Sequence, residues 1–179
     1  MSTLKLVTPD LSYAEQVWNY RSEFLNGGDN LAGSAGLEAV ENVAEWLANI
    51  EKNSHEDTVA KGLVPASTFL LVRHSDNKVV GMIDIRHRLN DFLLKFGGHI
   101  GYSVRPDERR KGYAKEMVRL ALGECRVLGL QQILITCDSE NVASARTILA
   151  NGGVLENEIP EKERVTQRYW VDLGEEDGN

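Results

Sequence analysis

The chain predicts an α/β (α+β) fold, and three observations carry that expectation. Two β-branched, apolar runs (Thr68–Arg73 and Val79–Ile85) flank the polar stretch His74–Lys78, which is a hairpin signal. An apolar strand from His99 to Val104 leads through a glycine-containing loop into a long amphipathic segment and then a second apolar strand ending at Cys137. A further strand pair, residues 154–159 and 168–173, closes the chain. The 179 residues suit a single domain, 1–179, with a substantial core.

Taken in order, residues 4–8 predict a short strand ended by Pro9-Asp10. Ala14, Val17, Trp18, Phe24 and Leu25 recur at helical spacing, so a helix begins at Ser12 and stops at Gly27-Gly28-Asp29-Asn30. Gly33–Gly36 is a second flexible spot. The stripe Val40, Val43, Ala44, Trp46, Leu47 predicts a helix from Leu37 to about Glu51, followed by a loop to Pro65. The second run of the hairpin continues through Arg86–Asn90, and Asp91–Lys95 suggests a helical turn broken by Gly97-Gly98. The helix after the central loop spans about Lys111 to Leu128. Ala114, Met117, Val118, Ala121, Leu122 and Cys125 form its apolar face, and Gly129 caps it. Gln132–Cys137 is apolar without alternation, as in a sheet covered on both faces. A helix over 142–150 ends at Asn151-Gly152-Gly153. The polar stretch Pro160–Thr166 joins the last two strands. Residues 174–179 read as a flexible tail, leaving a core of about 4–173.

The formal net charge of −7 disfavours a nucleic-acid partner. Cys125 and Cys137 lie in apolar patterns and read as reduced core thiols; His55, His74, His87 and His99 lack metal-ligand spacing, so no metal is expected. No secretory leader and no membrane-spanning run is visible, which makes a cytoplasmic location the default expectation.

Against the acidic background, Arg105, Arg109, Arg110 and Lys111 stand out. The stretch Arg109-Arg110-Lys111-Gly112-Tyr113-Ala114 lies between a strand and a helix start. Free backbone N–H groups and the helix dipole favour an anion there, and Gly112 lets a ligand approach the backbone. Three cations at a helix N-terminus oppose the dipole, which a bound polyphosphate would relieve. Neither G-x-x-x-x-G-K-[ST] nor a post-strand G-x-G-x-x-G is present, so a nucleoside triphosphatase and a dinucleotide oxidoreductase are disfavoured.

Arg109-x-x-Gly112-x-Ala114, with Val104 and Pro106 upstream and Asn141-x-x-Ser144 and Asn151-Gly152-Gly153 downstream, resembles the acetyl-coenzyme A motif of the GNAT superfamily of N-acetyltransferases. The likeness is greatest to the subgroup of ribosomal-protein N-terminal acetyltransferases and to uncharacterised bacterial acetyltransferases. It implies a mixed, mostly antiparallel central sheet with helices on both faces, acetyl-CoA as cosubstrate and an amine acceptor. It further implies that the backbone of Arg110–Ala114 holds the pyrophosphate with the side chains of Arg109, Arg110 and Lys111 nearby. Tyr102, Ser103 and Val104 would run beside the pantetheine arm, with the Val104 N–H on the thioester carbonyl. Asn141 orients the arm or merely caps its helix, and Ser144 hydrogen-bonds the departing thiolate. The tyrosine that many relatives use as acid falls at Ile148. For the base, His99 is a candidate beside a structural reading, with His87, Asp84 and Glu140 weaker. A non-catalytic acyl-CoA sensor on the same fold stays open as the alternative, as does a homodimer.

Overall fold

The computed structural model describes residues 3–174. Within them the chain forms β1 (Leu4–Val7), α1 (Ala14–Gly27), α2 (Val43–Lys52), β2 (Ala66–Arg73), β3 (Lys78–Arg86) and β4 (Ile100–Val104), then α3 (Tyr113–Val127), β5 (Gln132–Asp138), α4 (Val142–Ala150), β6 (Val154–Pro160) and β7 (Val165–Asp172). The tail expected at 174–179 lies, beyond Gly174, outside the described residues.

Three expectations about element bounds are corrected, one being the last strand, which begins at Val165 rather than Arg168 and takes the end of the expected connecting stretch into the ladder with β6. The helix read from Leu37 starts at Val43, because Asn42 leaves the helical region and its side chain accepts the Glu45 N–H at 2.9 Å. Glu45 answers by accepting the Glu41 N–H at 2.9 Å, and only a 3-10 turn, Leu37–Ala39, precedes this cap. The second hairpin strand stops at Arg86 rather than running to Asn90. Its next residue, His87, makes one more bond in the same register, its N–H donating to Pro65 O at 2.8 Å, before the chain leaves the ladder. The helical turn suggested at 91–95 is a π-helical turn over Leu93–Gly97.

All ladders are antiparallel. One sheet has the order β1-β2-β3-β4 and the other β5-β7-β6. Apolar residues on both faces of β2 and β3 explain their unbroken hydrophobic runs. Leu70, Val72, Val79 and Met82 pack beneath α1 and α2, against Val17, Tyr20, Phe24 and Trp46. Leu71, Val80, Ile83 and Ile85 face the other way and join Met117, Val118 and Ala121 of α3 with Ile133 and Ile135 of β5. The helices therefore cover both faces. Cys125 and Cys137 are buried and unpaired.

Between β4 and β5 the hydrogen-bonded sheet is interrupted, and His99 bridges the two halves. Its N–H donates to Leu134 O at 2.7 Å, and its Nδ1 accepts the Leu134 N–H at 2.9 Å. The neutral ring carrying its proton on Nε2 is thereby required. Gly98 makes the approach feasible: it has φ +67°, and a Cβ there would lie 2.6 Å from Leu134 O. Burial, aided by the charge of Arg86, lowers the His99 pKa from 6.5 to about 4.

The unfolded chain therefore binds a proton at His99 that the folded chain refuses between these values. We predict that His99 contributes fully to stability above pH 6.5 and that this contribution falls as the pH drops toward 4, by on the order of 3 kcal/mol. Urea midpoints across that range check this. His99→Ala should lose about 1–3 kcal/mol at pH 7.5 through the orphaned Leu134 N–H, and should show a flatter decline on acidification.

Candidate functional site

A cleft of about 880 Å³ opens where β4 and β5 part. Its walls follow from strand register. Arg105 N–H donates to Val80 O at 2.8 Å and Arg86 N–H donates to His99 O at 2.7 Å. The odd-numbered residues of β4 thus face β3, and Ile100, Tyr102 and Val104 turn their N–H and C=O groups toward the cleft. On the other side, Ser139 N–H reaches Val165 O and Leu173 N–H reaches Gln131 O, so the even-numbered residues of β5 face away from β7; Leu134 is taken by His99, and Thr136 and the Asp138 N–H present the free edge. Two strand edges facing an open gap are a template for an extended ligand carrying amides of its own.

At one end of the cleft lies the loop 109–114. Arg110 (φ 62°) and Gly112 (φ 81°) are both left-handed, which turns successive N–H groups to one side. Gly112 is the N-cap of α3 and provides no side-chain cap. Among the described residues, no protein acceptor takes the N–H groups of residues 110–115. An anion is the natural partner for these donors.

The cations around this loop are distributed differently from the expectation. Arg105 is buried and does not belong to an exposed patch. It grips Glu23 of α1 through Nε (2.7 Å) and Nη2 (3.2 Å), and donates through Nη1 to Val79 O at 3.0 Å. Arg109 folds back, donating from Nε to Val104 O at 3.1 Å, with Nη1 3.4 Å from Asp29 and the guanidinium over the Phe24 ring. Lys111 does not line the cleft; its ammonium donates to Glu108 at 2.7 Å. Arg110 is left exposed and outside any ion pair among the described residues, the cation best placed to meet a phosphate.

Glu108 organises the base of the loop. Although buried, it receives Arg73 at 2.7 Å, Lys78 at 2.9 Å and Lys111 at 2.7 Å. Arg73 also donates to the Tyr113 hydroxyl at 3.1 Å. Burial pushes the Glu108 pKa up, but the bonds from Lys111, Lys78 and Arg73 outweigh it and bring the carboxyl down to about 2. These contacts tie the β2–β3 hairpin to the first turn of α3.

Beyond the loop, Tyr102, Ser103, Val104, Tyr113, Ala114, Asn141 and Ser144 all border the cleft. Asn141 caps α4, its side chain accepting the Ser144 N–H at 3.1 Å. The Ser144 and Tyr102 hydroxyls are 2.6 Å apart, and Ser103 Oγ is engaged by buried Tyr20 at 2.8 Å. Ile148 is fully buried. None of the proposed bases, His99, His87, Asp84 or Glu140, lines the cleft. His99 is committed to Leu134, Asp84 is buried with Thr68 at 2.9 Å, and His87 meets Ser67 at 2.7 Å. The carboxylates at the cleft are instead Asp29, Glu108 and Asp138. Away from the loop the walls include Phe24, Asn30, Phe96 and Arg86, whose guanidinium donates to Gly97 O at 3.1 Å and Gly98 O at 3.3 Å. Sequence reading did not find Glu108, the Arg105–Glu23 pair or the Tyr102–Ser144 contact. The only local hint was an acidic residue next to three cations.

The acetyltransferase (GNAT) domain family matches residues 11–154. No curated protein matches the sequence. Among solved structures, the fold is similar to RimL, a ribosomal alpha-N-protein acetyltransferase in complex with coenzyme A (TM-score 0.71, 16% identity, covering 97% of this chain and 96% of that one). It is similar to the microcin self-immunity acetyltransferase MccE in complex with acetyl-CoA and AMP (TM-score 0.67, 19% identity, 95% and 92% covered). It is also similar to yncA from Salmonella typhimurium with its cofactor acetyl-CoA (TM-score 0.63, 16% identity, 98% and 96% covered).

Glu108→Gln would leave three cations facing a neutral amide. We predict a loss of about 3 kcal/mol, read as a lower urea midpoint at pH 7, with faster amide exchange in residues 109–115. A midpoint within error of the parent would show that the cluster does not hold the loop.

Proposed function

This chain belongs to the acetyltransferase (GNAT) family, and from that premise we propose that it transfers the acetyl group of acetyl-CoA to a primary amine by direct attack in a ternary complex. The acceptor is a small molecule or a protein N-terminus. One observation carries the reading: the unclaimed N–H groups of residues 110–115 and the outward edge of Tyr102 and Val104 lie along a single cleft. A diphosphate joined to a diamide arm needs that sequence of donors and acceptors.

The donor substrate supplies an activated thioester. Residues 110–115 hold its pyrophosphate, with Arg110 adding charge. The free edge of β4 pairs with its amides as a neighbouring strand would. The Val104 N–H points toward the thioester carbonyl, and a donor of this kind is worth about 3 kcal/mol when charge develops on oxygen. The Arg109 bond to Val104 O anchors the next peptide unit, at the end of β4. Ser144 faces the departing sulfur, held by its N–H bond to Asn141.

The incoming amine must be neutral, and no cleft side chain is poised to take its proton. Glu108 is held near 2 and Asp29 sits against Arg109, while Asp138 Oδ1 accepts the Glu140 N–H at 3.0 Å. The proton therefore leaves through water, and kcat/KM should climb with pH according to the pKa of the acceptor amine. An inflection near 4 that vanished in His99→Ala would instead return His99 to the role of base.

The sensor reading keeps one specific support, the buried isoleucine where relatives place an acid. Thiol release across a panel of amines, alongside calorimetric binding of acetyl-CoA, separates the two. We expect turnover with at least one amine; tight binding without turnover favours the sensor. Gly112→Ala forces a side chain into left-handed backbone. It should cost about 1 kcal/mol of stability and weaken coenzyme A binding about tenfold. Unchanged affinity would remove the diphosphate grip from the reading.

A further inference from the structure

We infer that Tyr102, presented from β4, is a positioning residue that aims the Ser144 hydroxyl at the sulfur of the thioester and so substitutes for the acid missing from α4. This rests on the acetyl-transfer reading and assigns a role to a side chain whose backbone alone was expected to matter.

The two hydroxyls lie 2.6 Å apart, bring two protons, and share one hydrogen bond. Either could donate. A phenol is far more acidic than an alkyl hydroxyl, so the favoured polarity runs from Tyr102 to Ser144. Ser144 then keeps its own proton for a second acceptor, and both residues border the cleft. A serine inside a helix can instead donate back to the carbonyl four residues earlier. Ser22 does this here, to Trp18 O at 3.0 Å. Ser144 makes no such bond among the described residues; its hydroxyl meets Tyr102 at the cleft instead.

The division of labour follows from acidities. Burial, partly offset by the bond to Ser144, pushes the Tyr102 pKa up to about 12. A free thiol titrates near 8.5, roughly three units lower, so the phenol does not surrender its proton to sulfur. The pair acts instead as a permanent donor. As the amine nitrogen bonds to the carbonyl carbon, the C–S bond breaks with its electron pair passing to sulfur. The Ser144 O–H hydrogen-bonds that thiolate, and the proton that finally resides on sulfur comes from water, which also receives the one released by nitrogen. Cys137, beside this group, is a neutral thiol, since burial raises its pKa to about 11.

The test titrates the thiol of bound coenzyme A by its ultraviolet thiolate absorbance, using the complex with desulfo-coenzyme A as blank. The parent, Tyr102→Phe, Ser144→Ala and the double variant are compared, with binding followed by calorimetry. In the parent the bound thiol should titrate about one unit below free coenzyme A, one hydrogen bond's worth. Each single variant should return it toward the free value, and the double variant should add nothing. In turnover, Tyr102→Phe should lower kcat about tenfold while KM for acetyl-CoA stays within about twofold. An equal thiol pKa in parent and Tyr102→Phe, or additive effects in the double variant, overturns the inference alone. A parent that binds no coenzyme A removes the acetyl-transfer reading and this inference with it.

Discussion

The site depends on where the sheet stops. Two antiparallel sheets meet at one residue, His99, whose main chain and ring both bond Leu134. Beyond that bridge the strands part, leaving outward-facing backbone groups on β4 and on β5. Unpaired strand edges are ordinarily a liability. Here they are sheltered by α3 and α4 and turned toward a cleft, which on the proposed reading suits them to a ligand with its own amides. Closing the ladder between β4 and β5 would satisfy those groups and abolish the site.

The second constraint is electrostatic. An acidic protein must present an anion site without relying on a broad basic patch. Glu108 draws three cations into a buried cluster, so their charge shapes the loop more than it attracts a ligand. On the proposed reading, backbone dipoles, two left-handed residues and the exposed cations Arg110 and Lys115 remain for the anion. Such a site derives its affinity from geometry, and moderate salt should affect it less than it would a surface of free lysines. Arg105 and Glu23 extend the same logic by fixing α1 against the end of β4.

Much of this was legible in the chain. The three- and four-residue spacing of Met117, Val118, Ala121, Leu122 and Cys125 marked α3, and Arg109-x-x-Gly112-x-Ala114 marked the loop at its start. The continuous apolar runs of β3 and β5 signalled two covered faces, which the two hydrophobic clusters provide. The late start of α2 was also readable, since Asn42-x-x-Glu45 is a capping signal; the apolar stripe through Val40 hid it. Other features were not available from local pattern. The Tyr102–Ser144 contact joins residues 42 apart, and Glu108 meets cations from a hairpin 30 and 35 residues away. Periodicity reports which face a residue takes, not which distant group it meets there. His99 shows the same limit: base and structural roles stood side by side in the sequence, and only the register with Leu134 showed what the ring does.

The most direct test of the account is backbone amide exchange, resolved by residue, with and without coenzyme A. The account requires new protection at residues 110–115 and at Tyr102 and Val104, while the odd-numbered residues of β4, already bonded to β3, change little. Saturable binding that left those amides unprotected, or that protected a different surface, would contradict it.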